Sequence, residues 1–191
     1  MNEIERALAR FAQEMGAVDD MVHALVKGHL LIEEALAKII DQFVFHREHV
    51  AHARLNFATK VHVCRALYLR KNNLGEWELI EALNALRNVV AHTLQSPQRE
   101  RKFNRVKEIY MREAAGMSGI EEVPDRSEAD VVLLACGHSL GFLTSFEGDA
   151  RAFRQLVFDM DRSMNADLPP FDLLPGVLHR QVTVQILGRA T

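Results

Sequence analysis

The sequence predicts an all-α protein, an antiparallel bundle of about five to seven helices. Three observations carry that expectation. Apolar residues recur at intervals of three and four almost everywhere before residue 165. Turn and breaker residues fall between several of those stretches, at Gly16, Asn72-Asn73-Leu74-Gly75, Pro97 and Gly116 to Asp125. The chain has 191 residues, of which 48% are hydrophobic and 26% charged, enough to bury a core and too apolar for disorder.

Taken in order, Ile4, Leu8 and Phe11 mark a first helix closing near Gly16. A long second helix runs from about residue 18 to the mid-forties, with Met21, Leu25, Leu31, Ile32, Leu36, Ile39, Ile40 and Phe43 toward a core. The third, Leu55 to Leu69, carries Phe57, Val61, Cys64 and Leu67. Asn72-Asn73-Leu74-Gly75 breaks the chain by turn chemistry, and a fourth helix then extends from about Glu76 to Leu94. Pro97 opposes its continuation. Arg99 to Arg112 is helical and basic on one side, and Gly116 to Asp125 reads as a loop or hinge. Ser127 caps a further helix to about Phe146, with Glu128 and Asp130 favourable in its first turn. Gly148-Asp149 offers a break before a last helix, Ala150 to Met164. Beyond Pro169-Pro170, residues Val182 to Ile186 alternate with period two, as a short strand or extended tail would. Residues 1–115 thus form the bundle carrying the candidate site, and 116–191 a C-terminal helical extension and tail packed on the same domain.

A formal charge of −3 means that nucleic-acid binding would have to rest on a local patch. Cys64 and Cys136 have no CxxC partner or metal-ligand spacing and read as small buried hydrophobes in a reducing compartment. The acidic start, Met-Asn-Glu-Ile-Glu, lacks the features of a signal peptide, and the longest apolar run, Val131 to Cys136, is too short to span a bilayer. The expected location is the cytoplasm.

The candidate site is Arg87-Asn88-Val89-Val90-Ala91-His92. With 17 arginines and 9 histidines, roughly one Arg-x4-His match is expected by chance, and Arg47 to His52 is a second one. The Arg87 match differs in adding Asn88, in lying mid-helix, and in being framed by Ile80, Leu83, Leu86 and Val90. Asn88 and His92 are i,i+4 neighbours, so the amide can fix the imidazole tautomer. Arg87 lies about a quarter-turn away, within reach of the same groove. These groups suit RNA transesterification, in which a ribose 2′-OH attacks the adjacent phosphate. Histidine transfers protons near neutral pH, and arginine clamps the developing phosphorane charge. One protomer offers one such histidine, so a two-fold dimer would be needed to supply both acid and base.

Three stretches, Gly28 to Leu36, Leu55 to Lys60 and Leu83 to His92, together resemble the HEPN superfamily. In that family an Arg-x(4–6)-His motif sits on a helix of a four- to five-helix bundle. The resemblance covers roughly residues 18–96. It implies a metal-independent endoribonuclease, without a cofactor, whose site forms between two protomers. It places Arg87, Asn88 and His92 in that site, with Glu33, or its neighbour Glu34, as the acidic residue of an earlier helix. Many members are toxins beside a nucleotidyltransferase antitoxin, and others are phage-defence effectors.

Arg101, Lys102 and Arg105 on the following helix make a candidate RNA-tracking surface, although Glu100, Glu108 and Glu113 offset part of their charge. His46, His49 and His52 around Glu48 read as a solvated helix end rather than a metal site. His29 and Glu33, also i,i+4, read as a structural pair. The competing expectation for the whole chain is a non-catalytic helical interaction or regulatory module resembling the mannitol-operon repressor family.

Overall fold

A computed structural model describes residues 19–70, 74–92 and 97–169. The expected helix around Ile4 to Phe11 and the alternating Val182 to Ile186 segment lie outside them. In chain order the helices are α1 (Asp20–Phe43), α2 (Arg47–Ala53), α3 (Phe57–Leu67), α4 (Gly75–His92), α5 (Pro97–Glu113), a 3-10 segment (Ile120–Asp125) and α6 (Glu128–Met164). Among the described residues there is no strand, so the protein is an all-α helical bundle, as its periodicity requires.

Helix α1 is the axis of the bundle, packing along α6 on one side and on α3 and α4 on the other. Its start is fixed by Asp19, whose Oδ1 accepts the Val22 amide (3.1 Å). Burial works to raise the Asp19 pKa, but the Val22 bond and the Arg99 guanidinium outweigh it and hold the carboxyl below its ordinary value. Arg99 donates to Asp19 Oδ2 (2.6 Å) and to Glu128 Oε2 (3.1 Å), and so ties together the starts of α1, α5 and α6. The buried residues of α1, including Leu25, Ile32, Leu36 and Ile39, follow the stripe expected from spacing, except that Leu31, next to Ile32 and about 100° round the helix, is 51% exposed. Gly28 lies in that stripe because the chains approach closely. A Cβ there would lie 2.8 Å from the Cys136 Cβ of α6. Both cysteines are buried, and desolvation pushes each thiol up to about 12.

The structure corrects two expected boundaries. The stretch from Arg47 to His52, expected as the solvated end of the long helix, is a separate helix, α2, after extended backbone at Val44 (φ −105°, ψ 142°). The cause is tertiary: buried Arg154 of α6 donates to the carbonyls of Gln42 (2.8 Å) and Val44 (3.0 Å) and closes the C-terminus of α1. Arg154 also lies over the Phe45 ring, 4.6 Å from its centroid.

The second correction concerns Gly148-Asp149, where α6 does not break but runs unbroken through 37 residues. Glycine inside a helix costs only about 1 kcal/mol relative to alanine, and the residues on either side of it are anchored. Phe146, Ala150 and Arg154 are all buried on the same side, and Asp149 accepts from Arg70 (3.1 Å). Ser127 caps α6 as expected, its Oγ accepting the Asp130 amide (3.1 Å). The glycine-rich approach to it turns through left-handed Gly116 (φ 89°) and Gly119 (φ 79°) before the 3-10 segment.

By length and composition alone, α6 contains a window apolar enough to cross a membrane. In the fold it lies against α1, with Val132, Ala135, Leu143 and Phe146 buried in the core.

Candidate functional site

Where α1, α3 and α4 meet, the core turns polar. His29 of α1 is buried, and its Nε2 donates to Asn84 Oδ1 of α4 (3.0 Å). Its ring stacks on Phe57 of α3, with centroids 4.0 Å apart and planes inclined by 24°. One turn along α1, Glu33 Oε1 accepts from Lys60 Nζ of α3 (2.7 Å), the side chains being 31% and 20% exposed respectively. The expected His29–Glu33 pair is therefore replaced by two bonds between helices. An i,i+4 contact on one helix competes with partners presented by packed neighbours, and here the neighbours hold both groups.

Arg87 follows Asn84 by three residues on α4, so the two share a face. Its side chain is partly buried, and its Nη1 donates to Asn88 Oδ1 (3.3 Å). Burial holds the His29 pKa below its ordinary value of 6.5; the Asn84 bond works against that depression, the Arg87 charge adds to it, and Glu33 opposes it. His29 is thus neutral near pH 7, with one ring nitrogen committed to Asn84. The fields of Arg87 and Glu33 both reach it, so these residues form one electrostatic unit across two helices.

His92 is the last described residue of α4, and its side chain lies outside the described part of the structure. Asn88 is exposed, and its described bond is to the Arg87 guanidinium. Glu34 is exposed, whereas Glu33 belongs to the polar junction.

The helix after the site is less free to track phosphates than its composition suggests. Helix α5 packs on α4. Arg105 pairs with Glu78 of α4 and with Glu108 (2.9 Å), and Arg112 reaches the same Glu78 (2.7 Å) and Glu113 (2.6 Å). Arg101 and Lys102, nearer the start of α5, are exposed. Arg105 is thus drawn into a carboxylate network, while Arg101 and Lys102 face solvent.

The second Arg-x4-His match behaves as a chance match should. Every residue from Arg47 to Ala53 except Val50 is exposed, and His52 Nδ1 donates to the Glu48 carbonyl of its own helix (2.6 Å). His46 and His49 lie 3.4 Å and 3.8 Å from the Glu48 carboxylate.

Asn84, Lys60 and the inward placement of His29 were not singled out by motif reading. One signal was available: His29 and Asn84 interrupt otherwise apolar stripes on α1 and α4, and a polar residue in such a stripe requires a partner.

No family model, curated protein or solved structure matches the chain.

Proposed function

We propose that the protein is a metal-independent endoribonuclease of HEPN type, acting as a homodimer, with Arg87 and His92 at the reacting phosphate. The observation that carries this reading is the polar junction itself: buried His29, held by Asn84, feels the charges of both Arg87 and Glu33 where α1, α3 and α4 meet. A guanidinium held there is a permanently charged, bidentate clamp for a phosphorane. His92 is the general acid and base, Asn88 steadies Arg87, and the Glu33–Lys60 and His29–Asn84 bonds position α1 and α3 around the clamp.

The dimer has its own support. Val26 and Leu30 precede Glu33 by seven and three residues on α1, sharing its face, and are 43% and 55% exposed. An apolar margin next to a charged cluster is the kind of surface a two-fold contact covers, and a second protomer would bring a second His92. Arg101 and Lys102 remain the candidates for backbone phosphates. A toxin or phage-defence role, paired or not with a nucleotidyltransferase antitoxin, belongs to the same reading.

The test is cleavage of single-stranded RNA in excess EDTA by wild type, His92→Ala and Arg87→Ala. Each substitution should lower the rate by at least ~100-fold, the lower range for loss of a proton-transfer group or a charge clamp. Undiminished cleavage by His92→Ala would sink the assignment.

A second reading, a non-catalytic helical module, is favoured by the pairing of Arg105 with Glu78 and Glu108, which removes one of the three cations from the expected RNA surface. It predicts no turnover in any of these assays.

A further inference from the structure

A second site, which shares Lys60 with the Arg87 junction, lies further along α1. Ala37, Ile40 and Asp41 of α1, Arg47, Val50 and Ala51 of α2, Arg54 and Leu55 of the following turn, and Lys60 of α3 enclose a cleft of about 360 Å³. That volume is within the range of small-molecule pockets.

The composition of its walls points to one ligand chemistry. Arg47, Arg54 and Lys60 give it three cations against a single acid, Asp41. Lys60 is already paired with Glu33. Arg47 and Arg54 make no ion pair among the described residues, as is also true of Arg87, Arg101 and Arg162, whereas most of the other described arginines do. Two arginines left without acids in one concave site make a bidentate donor set for a doubly charged oxyanion. Ile40, Val50 and Leu55 supply an aliphatic wall for a carbon skeleton, and Asp41 supplies an acceptor for hydroxyl donors.

The backbone adds an independent observation. Arg54 has φ 46° and ψ 51°, and it is the one non-glycine residue with positive φ in the described chain. It closes α2 as a left-handed cap, its amide donating to the Ala51 carbonyl (3.3 Å), a position where glycine or asparagine is the ordinary choice. An arginine kept in a conformation that glycine adopts without strain indicates that its side chain has a use there.

We infer that this cleft binds a small phosphorylated polyol: a sugar phosphate, or the ribose-phosphate end of a mononucleotide. Arg47 and Arg54 hold the phosphate, Asp41 accepts from a hydroxyl, and the carbon skeleton lies along Ile40, Val50 and Leu55.

Calorimetric titration of the full chain with ribose 5-phosphate, adenosine 5′-monophosphate, ribose and inorganic phosphate tests this. Saturable binding of ribose 5-phosphate, at least tenfold tighter than ribose and than inorganic phosphate, is expected. Tighter binding of the nucleotide than of ribose 5-phosphate identifies a mononucleotide as the source; equal or weaker binding identifies a sugar phosphate. Arg54→Gly should leave the melting temperature unchanged or higher, because strain is removed, while weakening the tighter-binding phosphate ester at least tenfold. Arg47→Gln should weaken it similarly, and His92→Ala should not change it. Absence of binding by wild type, equal binding of ribose, equal binding of inorganic phosphate, or unchanged affinity in Arg54→Gly and Arg47→Gln overturns the inference.

Discussion

Helix α1 presents two seams of opposite character. Against α6 it is dry along most of its length: Leu25, Gly28, Ile32 and Ile39 are buried, as are Val132, Ala135, Cys136 and Leu143, and polar contact enters at its C-terminal end, where Arg154 donates to the Gln42 and Val44 carbonyls. Ser139, a polar side chain buried in α6, satisfies itself on the Ala135 carbonyl of its own helix (2.9 Å). Against α3 and α4 the same helix is cross-linked by side-chain polar bonds, His29 to Asn84 and Glu33 to Lys60. The first seam is held by close approach and transfer of apolar surface, the second by groups that must find partners or remain costly. The difference teaches where specificity lies. A dry seam tolerates any partner of the right shape, whereas a polar seam fixes which residues face each other.

The largest expected effect breaks the dry seam. Ile32→Ala should lose roughly 2–5 kcal/mol, the range for truncating a fully buried aliphatic side chain, read as a lower denaturant midpoint at unchanged slope. A loss below ~1 kcal/mol would show that the seam is loose enough to collapse.

Gly28→Ala sharpens the same contrast at lower cost. The added methyl overlaps Cys136, but alanine is the better helix former, so a net loss of about 1–2 kcal/mol is expected. Combined with Cys136→Ala the two effects should be non-additive, part of the loss being recovered, since the pair is in contact. Strict additivity would mean that the helices do not meet there.

The smallest effect belongs to the polar seam and depends on pH. The folded-state pKa of His29 is depressed below 6.5, so the unfolded chain takes up its proton first as the pH falls. The stability that His29 contributes is therefore full above about pH 6.5 and lost progressively below it. His29→Gln, which keeps a neutral donor for Asn84, should flatten that part of the stability profile between pH 7 and 5. An unchanged slope in the variant would assign the pH dependence to other groups.

Much of the bundle was legible because helical periodicity is a local property. The core stripe of α1, the Ser127 cap and the burial of Cys64 and Cys136 follow from spacing and residue type. The boundaries that differed were those set at a distance. Arg154, 110 positions from Val44 in sequence, ends α1 there, and the buried residues flanking Gly148 carry α6 through a residue that local rules treat as a break. At the candidate site, Arg87, Asn88 and Glu33 could be named from sequence, but the partners of His29 and Glu33 could not. Both residues have an obvious neighbour one turn away and bond instead across helices.

The sequence by itself therefore determined the helical class, the core-facing stripe of α1 and the presence of an arginine and a histidine on one helix. Tertiary structure alone decided that the charges of Arg87 and Glu33, from two helices, both act on a buried histidine. It also gathered Arg47, Arg54 and Lys60 around one cleft. The physical reason is range. Periodicity and capping act within a turn or two of helix, whereas charge, desolvation and cavities depend on which surfaces the fold brings together.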